Sequence, residues 1–163
     1  MFLPMPINKD KEAIMIDFSC TGIGYGMSDV GMHIAHAIRP CDLINGGEET
    51  LIEGYISALE VAMNRNAKQL GSKTKKHWEY PRETAMRHYR FACVDYLRFV
   101  MGRFWRTASP ESFHKKKDNK NVTLINRNCL AAMAFIEKVD CYLVDFEREK
   151  RDREKQSNIS IPK

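Results

Sequence analysis

Three stripes of apolar residues at helical spacing constrain this chain more than any other feature. Ile125, Cys129, Ala132, Ile136, Val139, Leu143 and Phe146 alternate by four and three, which on a helix of 3.6 residues per turn makes one continuous face that must be covered. They predict a long helix over 121–146. Met86, Tyr89, Cys93, Tyr96, Val100 and Phe104 repeat in the same way behind Pro81, a residue suited to the first helical position, and predict a second long and central helix. Ile52, Tyr55, Ile56, Leu59, Ala62 and Met63 mark a third, starting near Gly47 with Glu48 and Glu49 in its first turn, where the helix dipole favours negative charge. A shorter helix is expected from Ser28 or Asp29, either of which offers a capping oxygen, to Ile38, closed by Pro40, and a helical turn begins at Ser109-Pro110-Glu111.

The segments between are polar. Residues 64–80 carry Arg65, Lys68, Lys73, Lys75 and Lys76 with no acid before Glu79, and read as a basic linker; 114–120 is a second basic stretch. Residues 147–163 alternate in sign without core residues and predict a charged tail that frays into solvent. Only residues 2–18 look β: Asn8-Lys9-Asp10-Lys11 is turn chemistry, and Ala13-Ile14-Met15-Ile16 is a short apolar run of buried-strand type. The expected fold class is mainly α with one N-terminal β-hairpin, as a single unit over 1–146 followed by the tail.

Composition narrows the class. At 163 residues, with 44% hydrophobic and 29% charged, the chain has the size and make-up of one globular domain, which argues against disorder. Apolar runs such as Ala131 to Phe135 fall far short of the roughly 20 residues of a membrane span, and the N-terminus lacks the pattern of a secretory signal, so no membrane partner is expected. Twenty-six Lys and Arg against 21 Asp and Glu leave a formal charge of +5, which favours anionic partners without naming one. Five cysteines, odd in number and without C-x-x-C spacing, suit a reducing cytoplasmic compartment and predict core filler rather than disulfides.

Chemistry concentrates in one stretch. Asp17 leaves the apolar run and is followed by Thr21-Gly22-Ile23-Gly24-Tyr25-Gly26-Met27, a loop because glycines at spacing two suit neither regular structure. A carboxylate at the exit of a strand beside a flexible glycine loop can hold a divalent cation against phosphate oxygens, although from the pattern alone an aspartate that caps the strand or turn is the simpler reading. A dinucleotide fingerprint would need glycine where Met27 stands, and no Gly-Lys-Ser or Gly-Lys-Thr occurs for a phosphate-binding loop. His33 and His36, with Cys41 further on, could contribute to a zinc site, but no fourth ligand is suggested and structural or surface histidines are the simpler reading. Arg82, Arg87, Arg90, Arg98, Arg103 and Arg106 alternate with aromatic residues on the central helix. Nucleic-acid binding is one use of that pattern, and a packed aromatic face with paired or solvated arginines is the better one.

The strand leading to Asp17-Phe18, the Thr21-Gly22-x-Gly24 loop and Ser28-Asp29-Val30 opening a helix resemble the metal-binding segment of the aminoglycoside phosphotransferase, choline kinase and ecdysteroid-kinase-like group. That resemblance implies the C-terminal part of the larger lobe of a protein-kinase-like fold. It implies Mg²⁺ and ATP as cofactors, Asp17 as metal ligand, Gly22 and Gly24 at the nucleotide, and Asp29 as a structural brace behind the catalytic loop. The implied reaction moves the γ-phosphate of ATP to a hydroxyl of a small molecule. The group's His-Gly-Asp catalytic loop should precede the hairpin, yet the 16 residues before Asp17 contain no histidine. The expectation is a fragment without catalytic residues of its own, inactive alone, with apolar surface that favours self-association. The alternative is a non-catalytic helical protein-interaction module.

Overall fold

The computed structural model describes residues 26–43, 45–69 and 77–159, and these are mainly helical. The expected hairpin over 2–18, and Asp17, Gly22 and Gly24 of the loop, lie outside the described residues. The helices are α1 (Met27–Ala37), α2 (Pro40–Leu43), α3 (Gly47–Gln69), α4 (Arg82–Arg103), α5 (Pro110–Lys116), α6 (Leu124–Arg127) and α7 (Cys129–Ile159). No strand occurs among the described residues.

The core forms where α1 and α7 pack on α4. Met27 and Ile34 of α1, Tyr89, Cys93 and Val100 of α4, and Phe135 and Val139 of α7 are all buried there. Gly31 is the reason α1 can approach α4 closely: a Cβ at that position would lie 3.3 Å from the Ala92 Cβ. The apolar period of α4 is met at Tyr89, Cys93, Tyr96 and Val100, but Phe104 lies beyond the last turn and is exposed.

Several boundaries depart from the expected ones for identifiable reasons. α1 begins at Met27 with Gly26 as its cap, so neither Ser28 nor Asp29 caps it; the fully buried Met27 side chain and a hydrogen bond from the Tyr55 hydroxyl to the Gly26 carbonyl (3.1 Å) hold the earlier start. The helix ends at an extended Ile38, and Pro40 opens α2 instead of closing α1. Gly46, at φ 83°, makes the turn into α3, and at Gly47 a Cβ would meet the Asp42 carbonyl oxygen.

The basic linker is partly helix. α3 continues through Arg65 to Gln69, and the chain returns at 77–80 to lie against it. Asn64 clasps the backbone of Trp78 from both sides: its amide donates to the Trp78 carbonyl (2.9 Å) and its carbonyl accepts the Trp78 N–H (2.8 Å). Tyr80 N–H donates to Glu60 (2.9 Å). The α3 stripe is buried only at Ile52 and Ile56, whereas Met63 is exposed.

The single helix expected over 121–146 is two. Asn128 interrupts it with φ −128° and ψ 109°, and its side chain accepts the Ala131 N–H (3.0 Å), capping α7 with the bond that breaks α6. Cys129 and Leu143 of the expected stripe are exposed, and Ala131 and Phe135 join Ala132 and Val139 in the core. The expected charged tail is helical over its described part and does not fray there: α7 runs on to Ile159, with 151–157 exposed as expected, laced by Glu147–Arg151 and Glu149–Arg153 ion pairs and tied to α4 by Arg87–Glu149 (3.3 Å). α5 is the turn expected at Ser109, closed by a reciprocal Ser109–Ser112 capping box.

Core filler describes one described cysteine only. Cys93 is fully buried, whereas Cys41, Cys129 and Cys141 are exposed. Among the described residues, no helix is long and apolar enough to cross a membrane.

Candidate functional site

Four polar side chains meet at the edge of this apolar core. Glu48 stands in the first turn of α3, Tyr89 at the middle of α4, and Lys138 and Tyr142 one turn apart on α7. The Lys138 ammonium donates to Glu48 Oε1 (2.9 Å) and to the Tyr89 hydroxyl (3.3 Å). The hydroxyls of Tyr89 and Tyr142 both donate to the same carboxylate oxygen, the latter at 3.5 Å. The Glu48 and Lys138 side chains are only 12% and 20% exposed, so their attraction acts with little screening.

The surroundings keep the tyrosines protonated. Burial first, and then the neighbouring Cys93 and Glu48, push the Tyr89 hydroxyl far above its ordinary value. Tyr142 is raised by burial and by Glu48, partly opposed by Arg90, whose guanidinium lies over its ring. Burial drives the Cys93 thiol up to about 11, against the lowering effect of Lys138, so it is not a nucleophile at neutral pH. The cluster therefore holds a charge pair with two neutral hydroxyl donors: an arrangement suited to recognition by hydrogen bonds.

Beside it lies a cavity of about 210 Å³. Glu48 and Lys138 form its polar end, while Ile34 of α1, Ile38 just after it, Leu43 of α2, Ile125 of α6 and Phe135 of α7 supply apolar walls. A larger open groove of about 640 Å³ runs between α4 and α7, where Phe91 and Phe146 stack at 4.4 Å, the Arg87 guanidinium lies over the Phe91 ring, and Arg153 lines the groove.

Of the residues singled out in the sequence, Asp17, Gly22 and Gly24 lie outside the described residues. Asp29 is exposed in the first turn of α1, near Tyr55. His36 is engaged by Tyr96, ring edge to face at 5.2 Å with a hydrogen bond between Nε2 and the hydroxyl, and Cys41 is exposed beside Asp42. No group of three or more His, Cys, Asp or Glu side chains placed to hold a metal occurs among the described residues. The arginines of α4 are engaged: Arg82 with Glu53, Arg87 with Glu149, Arg98 with Asp95, and Arg103 over Phe99.

The cluster itself was not anticipated, because Glu48 reads as an ordinary first-turn acid. One signal was present. Lys138 interrupts the face that carries Ala131, Phe135 and Tyr142, and a lysine on a buried stripe requires a partner. No known protein family matches the chain, and neither a curated protein nor a solved structure matches it.

Proposed function

We propose that the chain is the C-terminal part of the larger lobe of an ATP- and Mg²⁺-dependent phosphotransferase that acts on a hydroxyl of a small molecule. The observation that carries this reading is the order in the sequence of Asp17, Thr21-Gly22-x-Gly24 and then α1, a helix whose Gly31 backs closely onto Ala92 of α4. A loop anchored on such a helix can keep a metal-binding carboxylate in place, and phosphoryl transfer depends almost wholly on positioning and charge neutralisation. In this reading Asp17 holds Mg²⁺ on the nucleotide phosphates, Gly22 and Gly24 let the backbone approach them, and Asp29, in the first turn of α1, is the structural brace behind the catalytic loop of the whole enzyme. The base and the nucleotide-covering lobe belong to other parts of such an enzyme, so the chain alone binds nucleotide without turnover.

The test is calorimetric titration of the purified chain with ATP, with and without Mg²⁺. Binding that requires Mg²⁺ and weakens at least tenfold in Asp17→Ala supports the reading; equal binding without Mg²⁺, or in the variant, rejects the metal-ligand role. Absence of ATP binding favours a second reading, a helical protein-interaction module. Phe99 and Phe104, both exposed and in edge-to-face contact at 5.6 Å, speak for that module because they make a contiguous apolar surface at the end of α4.

A further inference from the structure

We propose that the cavity between α1, α2, α6 and α7 is a binding site for a small neutral molecule with an apolar body and a single hydroxyl head. The inference stands apart from the phosphotransferase reading: it involves no nucleotide, metal or residue before α1.

The size sets the body. The cavity measures about 210 Å³, and a cavity of roughly 150 Å³ with apolar walls accepts benzene. One ring with one or two substituents, or a branched chain of similar bulk, fills the space. Ile34, Ile38, Leu43, Ile125 and Phe135 offer that body no hydrogen-bonding side chain. The cavity is partly open to solvent and small, which suits a ligand of one ring, and apolar walls with a few convergent polar groups are the usual lining of a small-molecule site.

The polar end sets the head. Tyr89, Tyr142 and Lys138 all donate to Glu48 Oε1, and among the described residues no hydrogen bond reaches Oε2. Lys138 spends two of its three N–H donors on Glu48 and Tyr89, which leaves one among the described residues. A hydroxyl donates to Oε2 and accepts from Lys138 at once. An ammonium cannot accept and a carboxylate cannot donate. Because Glu48 and Lys138 already neutralise one another, a charged head would also bring an uncompensated charge into apolar surroundings.

The probes are phenol, toluene, benzoate and benzylamine, titrated into the full chain while the methyl resonances of Ile34, Ile38 and Ile125 are followed by NMR. Phenol should shift all three saturably and bind at least tenfold more tightly than each of the other probes. Ala134→Leu, which adds bulk to the wall, should abolish the phenol shifts without lowering the thermal midpoint by more than a few degrees. Lys138→Met should weaken phenol several-fold while leaving toluene unchanged, because the hydroxyl loses the Lys138 donor and keeps Oε2. Toluene as tight as phenol, a charged probe as tight as phenol, or no saturable shift in the unmodified chain would each overturn the proposal. Since the ranking of probes is read in the unmodified chain, failure of a variant to fold leaves the test intact.

Discussion

At the residue scale, the titrating group with the clearest consequence is His36. Burial, and then the nearby His33, hold its pKa down to about 4, well below the 6.5 of an exposed imidazole. The folded chain thus keeps His36 neutral where the unfolded chain protonates it. Above pH 6.5 both states are neutral and the residue contributes no pH dependence; as pH falls from 6.5 towards 4, the unfolded state binds the proton first and stability is lost. Thermal unfolding should show a midpoint that drops across this window, with a shallower drop in His36→Gln. An equally steep drop in the variant would assign the effect to other groups. Lys138 and Glu48 form a largely buried ion pair, so removing either member would strand the other.

At the scale of elements, one close contact and one broken helix dominate. Gly31 sits where α1 meets Ala92 and Cys93 of α4, so a large side chain there must push two helices apart. Gly31→Leu should destabilise the chain by about 1–3 kcal/mol, the usual cost of overpacking, measured by urea unfolding. An unchanged midpoint would show that α1 can shift without loss. The break at Asn128 carries the opposite lesson. Apolar spacing runs unbroken from Ile125 to Phe146, and periodicity cannot register a side chain that prefers to cap the next turn. The helical charged segment after Phe146 eluded the sequence for a related reason: its Glu–Arg pairs at i and i+4 were legible, but the contact of Glu149 with Arg87 is tertiary.

At the scale of the molecule, stability is spread unevenly. α1, α4 and the first half of α7 share the core, whereas α3 beyond Leu59 and α7 beyond Phe146 present mostly exposed side chains. Amide hydrogen exchange should therefore be slowest in 89–100 and 131–139 and faster by at least tenfold in 60–67 and 150–157, because backbone bonds far from buried contacts open locally. Uniform protection along α3 would mean that its outer half is covered in solution, as self-association through Val61 and Met63 would require.

The sequence by itself determined that this chain is mainly helical, that Tyr89, Cys93, Tyr96 and Val100 of α4 enter the core, and where α3 and α5 begin, since these follow from local spacing, capping and dipole effects. Only the tertiary structure decided the rest. Whether a stripe is buried depends on what packs against it, so half of the α3 face stays exposed while Phe135 is covered. The meeting of Glu48, Tyr89, Lys138 and Tyr142 joins residues up to 94 positions apart. No local pattern encodes such a meeting: it exists only because α3, α4 and α7 converge, and the cavity beside it is the space their packing, with α1, α2 and α6, leaves unfilled.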